Sequence, residues 1–236
     1  MKKTAVIVET RKHKALEFVL NNVMTILPPD WNLQIFHGLN NLQYINNIVE
    51  SNNLLTSIKE KISFTNLNIE SVTQEASSEI MLSEQFWSSI NGDIILYFEC
   101  DSMLCPNYIG GYWGNNLYNL NEQYPVVMNG GVSIRKKQFM LDIIRNKWEP
   151  YVANGGNTCE DYFVSACIEK HPTVKQVITF SIDCGYIAPL NMEAPFAVHK
   201  PWGVNPAKGH GKAYDQIKQV CNEIEVLKNL QGEYNV

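Results

Sequence analysis

The run Asp93-Ile94-Ile95-Leu96-Tyr97-Phe98 constrains this chain more than any other segment. It is apolar without alternation, whereas a strand with one wet face alternates, so it reads as a strand covered on both faces. Such a strand needs a layer on each side. The preceding segments supply the parts. Thr4–Val8 is a short apolar run with β-branched members, again a buried strand. Leu16, Val19, Leu20, Val23 and Leu27 then recur at helical spacing until Pro28-Pro29 stops them. Leu33–Phe36 is a further strand. Residues 39–62 are mixed, with helical spacing broken at Asn52-Asn53, and Ser77–Ile90 reads as one helix ended by Asn91-Gly92. Strands alternating with helices predict a parallel α/β sheet flanked by helices.

The second half changes character. Asn107–Tyr124 is an aromatic, glycine-rich loop, and Val126–Ile134 is strand-like. Lys136–Trp148 and Glu160–Lys170 read as helices and Val177–Ile182 as a strand. Ala213–Leu230 reads as a single amphipathic helix with Ile217, Val220, Cys221, Ile224 and Leu227 on one stripe. That stripe fits either its own domain or a homodimer seam. With no linker in view, residues 1–236 read as a single domain.

Composition excludes several classes. Nineteen basic against twenty-four acidic residues leave a formal charge of −5, which does not fit a general nucleic-acid surface. No apolar run reaches the roughly 18–20 residues of a transmembrane span. The N-terminal apolar run, Ala5–Val8, is too short for a secretory signal, so a soluble, cytoplasmic protein is the expectation. The cysteines Cys100, Cys105, Cys159, Cys167, Cys184 and Cys221 form no C-x-x-C pair. Reduced, mostly buried thiols are therefore expected.

Five short constellations can carry chemistry. Glu99-Cys100-Asp101-Ser102 follows the central strand. Open α/β sheets bind ligands at the carboxyl ends of their strands, and paired carboxylates there suit Mg²⁺ or Mn²⁺. The structural alternative makes Asp101 an Asx-turn or cap residue. Asn129-Gly130-Gly131 marks a close ligand approach or an ordinary bulge, with Arg135 and Lys136 as nearby charge or as a solvated face. Glu160-Asp161 offers a general base or an anchor for sugar hydroxyls, or acids placed to favour a helix N-terminus. In His199-Lys200-Pro201-Trp202-Gly203 the imidazole can ligate a metal, the lysine can neutralise phosphate, and Trp202 can stack on a sugar or base. A surface loop with one packed Trp is the plainer reading. Val8-Glu9-Thr10-Arg11 ends the first strand and can hold a base or ribose, or form a βα loop with Thr10 as the helix N-cap.

Taken in order, AVIVETRKHKALEFVLNNV, ILYFECDSMLC, NYIGGYWG, NGGVSIRKKQFM, CEDYFVSACI and FAVHKPWG span Ala5 to Gly203. In this order they resemble a family of small GT-A-type glycosyltransferase-like proteins found in large DNA viruses, fungi and other microbes. The resemblance implies a GT-A-like, Rossmann-type mixed sheet, with a nucleotide-binding half near residues 1–105 and an acceptor-side half near 106–236. It implies a metal-dependent, hexosyltransferase-like enzyme that uses a nucleotide-sugar, UDP being the commonest base, and Mn²⁺ or Mg²⁺. The acceptor is a glycan, a protein or a small molecule, and the location of a viral member is the host cytoplasm. On this reading Asp101 and His199 are metal ligands. Val8, Glu9, Thr10, Arg11, Glu99, Cys100, Asn129, Gly130, Gly131, Lys200 and Trp202 meet the donor, and Asp161 or Glu160 is the base. Glu99 stands where the wider superfamily more often has Asp. That departure favours, as the competing reading, a catalytically inactive GT-A-fold protein that binds a carbohydrate or nucleotide.

Overall fold

A computed structural model describes residues 1–105, 131–168, 181–183, 196–203, 211 and 214–231. The loop Asn107–Tyr124, Cys184 and the first part of Val126–Ile134 lie outside the described residues.

The unbroken apolar run forms β4 (Ile94–Phe98), and helices cover both of its faces. Leu96 and Phe98 enter one core with Ala5, Ile7, Leu33 and Ile35, while Ile95 and Tyr97 enter a second with Val6 and Phe36. β1 (Lys3–Glu9), β2 (Trp31–His37) and β3 (Ile62–Asn66) complete the parallel part, in the order β3-β2-β1-β4. An antiparallel strand, β6 (Val132–Lys136), closes the far edge. The sheet is thus mixed and flanked by helices, as expected. β3 escapes the periodicity argument because it is an edge strand whose residues are half-buried or exposed.

The first core is roofed by α1 (Leu16–Ile26), α2 (Leu42–Ser51) and α3 (Asn53–Ser57). The second is roofed by α4 (Gln74–Met81), α5 (Glu84–Ser89), α6 (Lys137–Ala153) and α7 (Glu160–Cys167). The single helix expected over Ser77–Ile90 is two. The Ser83 hydroxyl accepts the Phe86 N–H at 3.1 Å and starts α5 afresh, because a side-chain cap satisfies amides that a continuing helix would otherwise bond. The C-terminal helix also divides, into α8 (Tyr214–Val220) and α9 (Ile224–Gln231). Ile217, Cys221, Ile224 and Leu227 still enter the first core, whereas Val220, expected on the same stripe, is 41% exposed because the helix breaks after it.

A smaller sheet lies beyond the end of β4. Its strands are β5 (Ser102–Leu104), β7 (Ser181–Asp183) and β8 (Ala197–His199), ordered β5-β8-β7, with β5 antiparallel and β7 parallel to β8. The expectation of reduced thiols holds for Cys100, Cys159 and Cys167 and fails for two others. Cys105, just past β5, is disulfide-bonded to Cys221, just past α8, with 5.6 Å between their Cα atoms. Packing of the C-terminal segment over β5 brings the two together, a contact that cysteine spacing does not encode. Among the described residues no helix is long and apolar enough to cross a membrane.

Candidate functional site

β1 leads through α1 to β2 on one side of the sheet, whereas β4 lies on the other. The order therefore reverses between β1 and β4, the position at which open α/β sheets form a binding crevice. The ends of the two strands lie side by side, Ile7 paired with Phe98, so the loops after them share that crevice.

After Phe98 the chain turns within four residues. The Ser102 N–H donates to the Glu99 carbonyl at 3.1 Å, and the Glu99 N–H donates to the Ser102 hydroxyl at 2.8 Å. The same hydroxyl lies 2.6 Å from the Glu99 carbonyl oxygen and 3.3 Å from that of Gly131. Ser102 is fully buried, so its bonds act away from competing water. Pairing of β5 with β8 then sets Ser102 opposite His199, and the Lys200 N–H donates to the Asp101 carbonyl at 3.0 Å. Asp101 is thus neither an Asx-turn former nor a helix cap.

This register gathers Glu99, Asp101 and His199. His199 Nε2 is 3.1 Å from Asp101 Oδ1 and 3.3 Å from Glu99 Oε2, and one ligand atom from each residue lies within 4.8 Å of the others. Two carboxylate oxygens and one imidazole nitrogen form a donor set that fits Mn²⁺ or Mg²⁺. Burial alone would push the Asp101 carboxyl up, but His199 and Lys200 overcome this and hold it well below the usual carboxylate range. Lys200, at φ +43°, places its ammonium 3.2 Å from Asp101 Oδ2. Gly131 leaves room for the His199 imidazole, since a Cβ at this position would overlap the ring. What approaches Gly131 closely is thus the chain's own imidazole, where the paired glycines suggest a ligand approach or a bulge. Asn129 and Gly130 lie outside the described residues.

The loop after β1 is held from several sides. Arg11 binds Glu9 as a fork, Nε to Oε1 at 2.9 Å and Nη2 to Oε2 at 2.8 Å, and its own N–H adds a third bond to Oε1. Glu9 is buried, whereas the Arg11 side chain remains 45% exposed, so the guanidinium is the group this loop presents. The hydrogen bonds to Glu9 push Arg11 further up, and it stays charged. Asn41 Nδ2 donates to the carbonyls of Glu9 and Arg11 at 2.8 and 3.1 Å. Thr10 does not cap α1, whose N-cap is Ala15. Its hydroxyl accepts the Val72 N–H at 3.0 Å and pins the loop to the segment before α4. Val8 lies in β1 opposite Phe36 and packs against the second core. The buried Cys100 thiol of the second loop lies within 4.8 Å of the Glu9 carboxylate of the first. Burial, then that carboxylate, push it well above the ordinary thiol value, so it remains protonated.

The acidic pair starts α7. Glu160 forms a buried ion pair with Arg135 of β6, both side chains being less than a tenth exposed. Arg135 Nε donates to Ser133 Oγ at 2.8 Å, and its guanidinium carbon lies 5.7 Å from the centre of the Trp87 ring. Arg135 is therefore not part of a solvated face. Asp161 is half-buried in the first turn of the same helix. Trp202 is half-buried against the first core, as a packed loop Trp would be.

Sequence reasoning missed Asn41 and Gln231 and the structural roles of Ser102 and Arg135. The Gln231 side chain donates to the Cys100 carbonyl at 2.9 Å across the whole chain. Each acts through a tertiary contact, and only Ser102 and Arg135 stood inside motifs.

The mixed α/β fold, a mostly parallel sheet flanked by helices, matches that of solved GT-A glycosyltransferases. The solved galactosyltransferase LgtC, in complex with donor and acceptor sugar analogues, superposes with a TM-score of 0.59 at 12% identity, covering 97% of this chain and 95% of that one. Mouse xyloside xylosyltransferase 1 gives 0.55 at 9% identity, over 84% and 97%. The glycosyltransferase GlyE of Streptococcus pneumoniae TIGR4 gives 0.56 at 12% identity, over 98% and 61%. The chain belongs to the family described as protein of unknown function (DUF5672), whose pattern matches residues 60–199. No curated protein matches its sequence.

Proposed function

We propose that this chain transfers a sugar from a nucleotide-sugar, with UDP as the nucleotide, to an acceptor hydroxyl. The observation that carries the reading is the convergence of Glu99, Asp101 and His199 at the switch point of a GT-A fold. Asp101 and His199, joined by Glu99, would hold a Mn²⁺ or Mg²⁺, whose chemistry when bound is Lewis-acid stabilisation of charge on a departing diphosphate. Lys200 adds a point charge toward the same phosphates. Val8, Glu9, Thr10 and Arg11 border the nucleoside, with the Arg11 guanidinium as the group that reads it. Cys100 holds the two loops in register, and Trp202 backs the donor side. Glu160 is paired with Arg135, and Asp161, its neighbour in the first turn of α7, would accept the acceptor's hydroxyl proton. A positioned base of this kind contributes roughly 10²–10⁴-fold.

The Lys200 ammonium on Asp101 Oδ2 supports one other reading, a nucleotide- or carbohydrate-binding protein in which lysine stands in for the cation. A thermal-shift panel of nucleoside diphosphates and nucleotide-sugars, with and without Mn²⁺, separates the two. A ligand at 100 times its Kd stabilises by about 2.7 kcal/mol. The expected result is a Mn²⁺-dependent shift with UDP that is lost in Asp101→Ala, with Asp161→Asn keeping the shift and losing transfer. A shift independent of Mn²⁺ supports a nucleotide-binding protein, and no shift with any nucleotide overturns the transferase and leaves the carbohydrate-binding reading.

A further inference from the structure

We propose that Gln231 is a positioning residue for the cation site, a role that rests on the reading of Glu99, Asp101 and His199 as its ligands. Cys100 lies between the two carboxylates, and its carbonyl receives the Gln231 side-chain amide at 2.9 Å. Gln231 is itself buried, at 3% exposure, so water does not compete for that bond. The residue holding the motif turn from beneath is therefore 131 positions away in sequence, on the last turn of α9.

Two further contacts make the C-terminal segment a fixed support. α9 packs against β5, with Ile224 and Leu227 in the same core as Cys100, Met103 and Leu104. The Cys105–Cys221 disulfide ties the start of that segment to the end of β5. The turn is thus held from above by Ser102 and from below by Gln231. Without the amide, the peptide between Cys100 and Asp101 loses its one side-chain donor among the described residues. That peptide can then rotate, carrying the Asp101 carboxylate away from His199. Groups that orient metal ligands commonly govern affinity by about 10–100-fold when removed.

The test is Mn²⁺ binding, followed by the free-ion paramagnetic resonance signal, in the full chain and in Gln231→Leu and Gln231→Glu. The second variant keeps the shape of the side chain but brings a carboxylate to the carbonyl. Both are checked for fold by circular dichroism and melting. Ile217→Ala is the control, because it loosens the same core from α8 without touching the turn. The expected result is a Kd for Mn²⁺ raised about 10-fold or more in a folded Gln231 variant, with wild-type affinity in Ile217→Ala. If the wild type binds no Mn²⁺, the metal reading fails and this role falls with it. If the wild type binds and folded Gln231 variants bind equally well, the role is overturned while the metal site stands. An equal loss in Ile217→Ala also overturns it, since general loosening then explains the effect.

Discussion

Gly131→Ala is the sharpest test of how the site is built. The φ of Gly131 lies outside the left-handed region, so alanine meets no backbone strain and the only cost is steric. The added Cβ would lie 2.5 Å from both Nδ1 and Nε2 of His199, inside the 3.0 Å that Cβ atoms essentially never breach. The ring has little freedom to retreat. His199 is 4% exposed and is bridged to Ser102 on one side and Asp183 on the other. Overpacking of this kind costs roughly 1–3 kcal/mol. In a chain of this length that corresponds to a fall in Tm of roughly 2–4 °C per kcal/mol. The assay is a double-mutant cycle by urea unfolding, with Gly131→Ala measured in the wild-type and His199→Ala backgrounds. The alanine should cost about 1–3 kcal/mol in the first and little in the second, so that nearly all of it appears as coupling energy. An equal cost in both backgrounds, or none in either, would refute the claim that Gly131 is small because His199 needs the space.

Arg135→Met leaves the buried Glu160 carboxylate without its guanidinium and should destabilise the fold by about 3–5 kcal/mol, since a lone buried charge is costly. Adding Glu160→Gln should recover much of that loss, and a urea midpoint near wild type for Arg135→Met alone would contradict the pairing. His13 is held below the ordinary histidine value, chiefly by burial and also by Arg11, against the opposing pull of Glu9 and Asp101. The unfolded chain therefore binds a proton at His13 more readily than the folded one. The stability His13 contributes is present above about pH 6.5 and is lost as pH falls through its lower folded value. Urea midpoints at pH 7.5 and 5.5 should differ less in His13→Gln than in the wild type, and an unchanged difference would remove His13 from the account.

What could be read in the sequence divides by the range of the interaction. β4 was legible because burial on both faces forces an unbroken apolar run, a local signature of a global position. The Glu99–Asp101 and His199–Lys200 motifs were legible because each carries its chemistry in adjacent residues. β3 was not, since an edge strand has no need of that run, and the breaks at Ser83 and after Val220 were not, since helical periodicity continues across them. The supports of the site left the least trace. Arg135 beside Glu160, Asn41 beneath the β1 loop and Gln231 beneath Cys100 are set by topology, and each is an unremarkable polar residue in its own neighbourhood. Gly131 falls between these cases. Paired glycines announce that something must come close, and only the register of β5 on β8 identifies it as the imidazole of His199. Local sequence thus names the groups that can do chemistry, while residues far away in the chain determine whether those groups are held where the chemistry needs them.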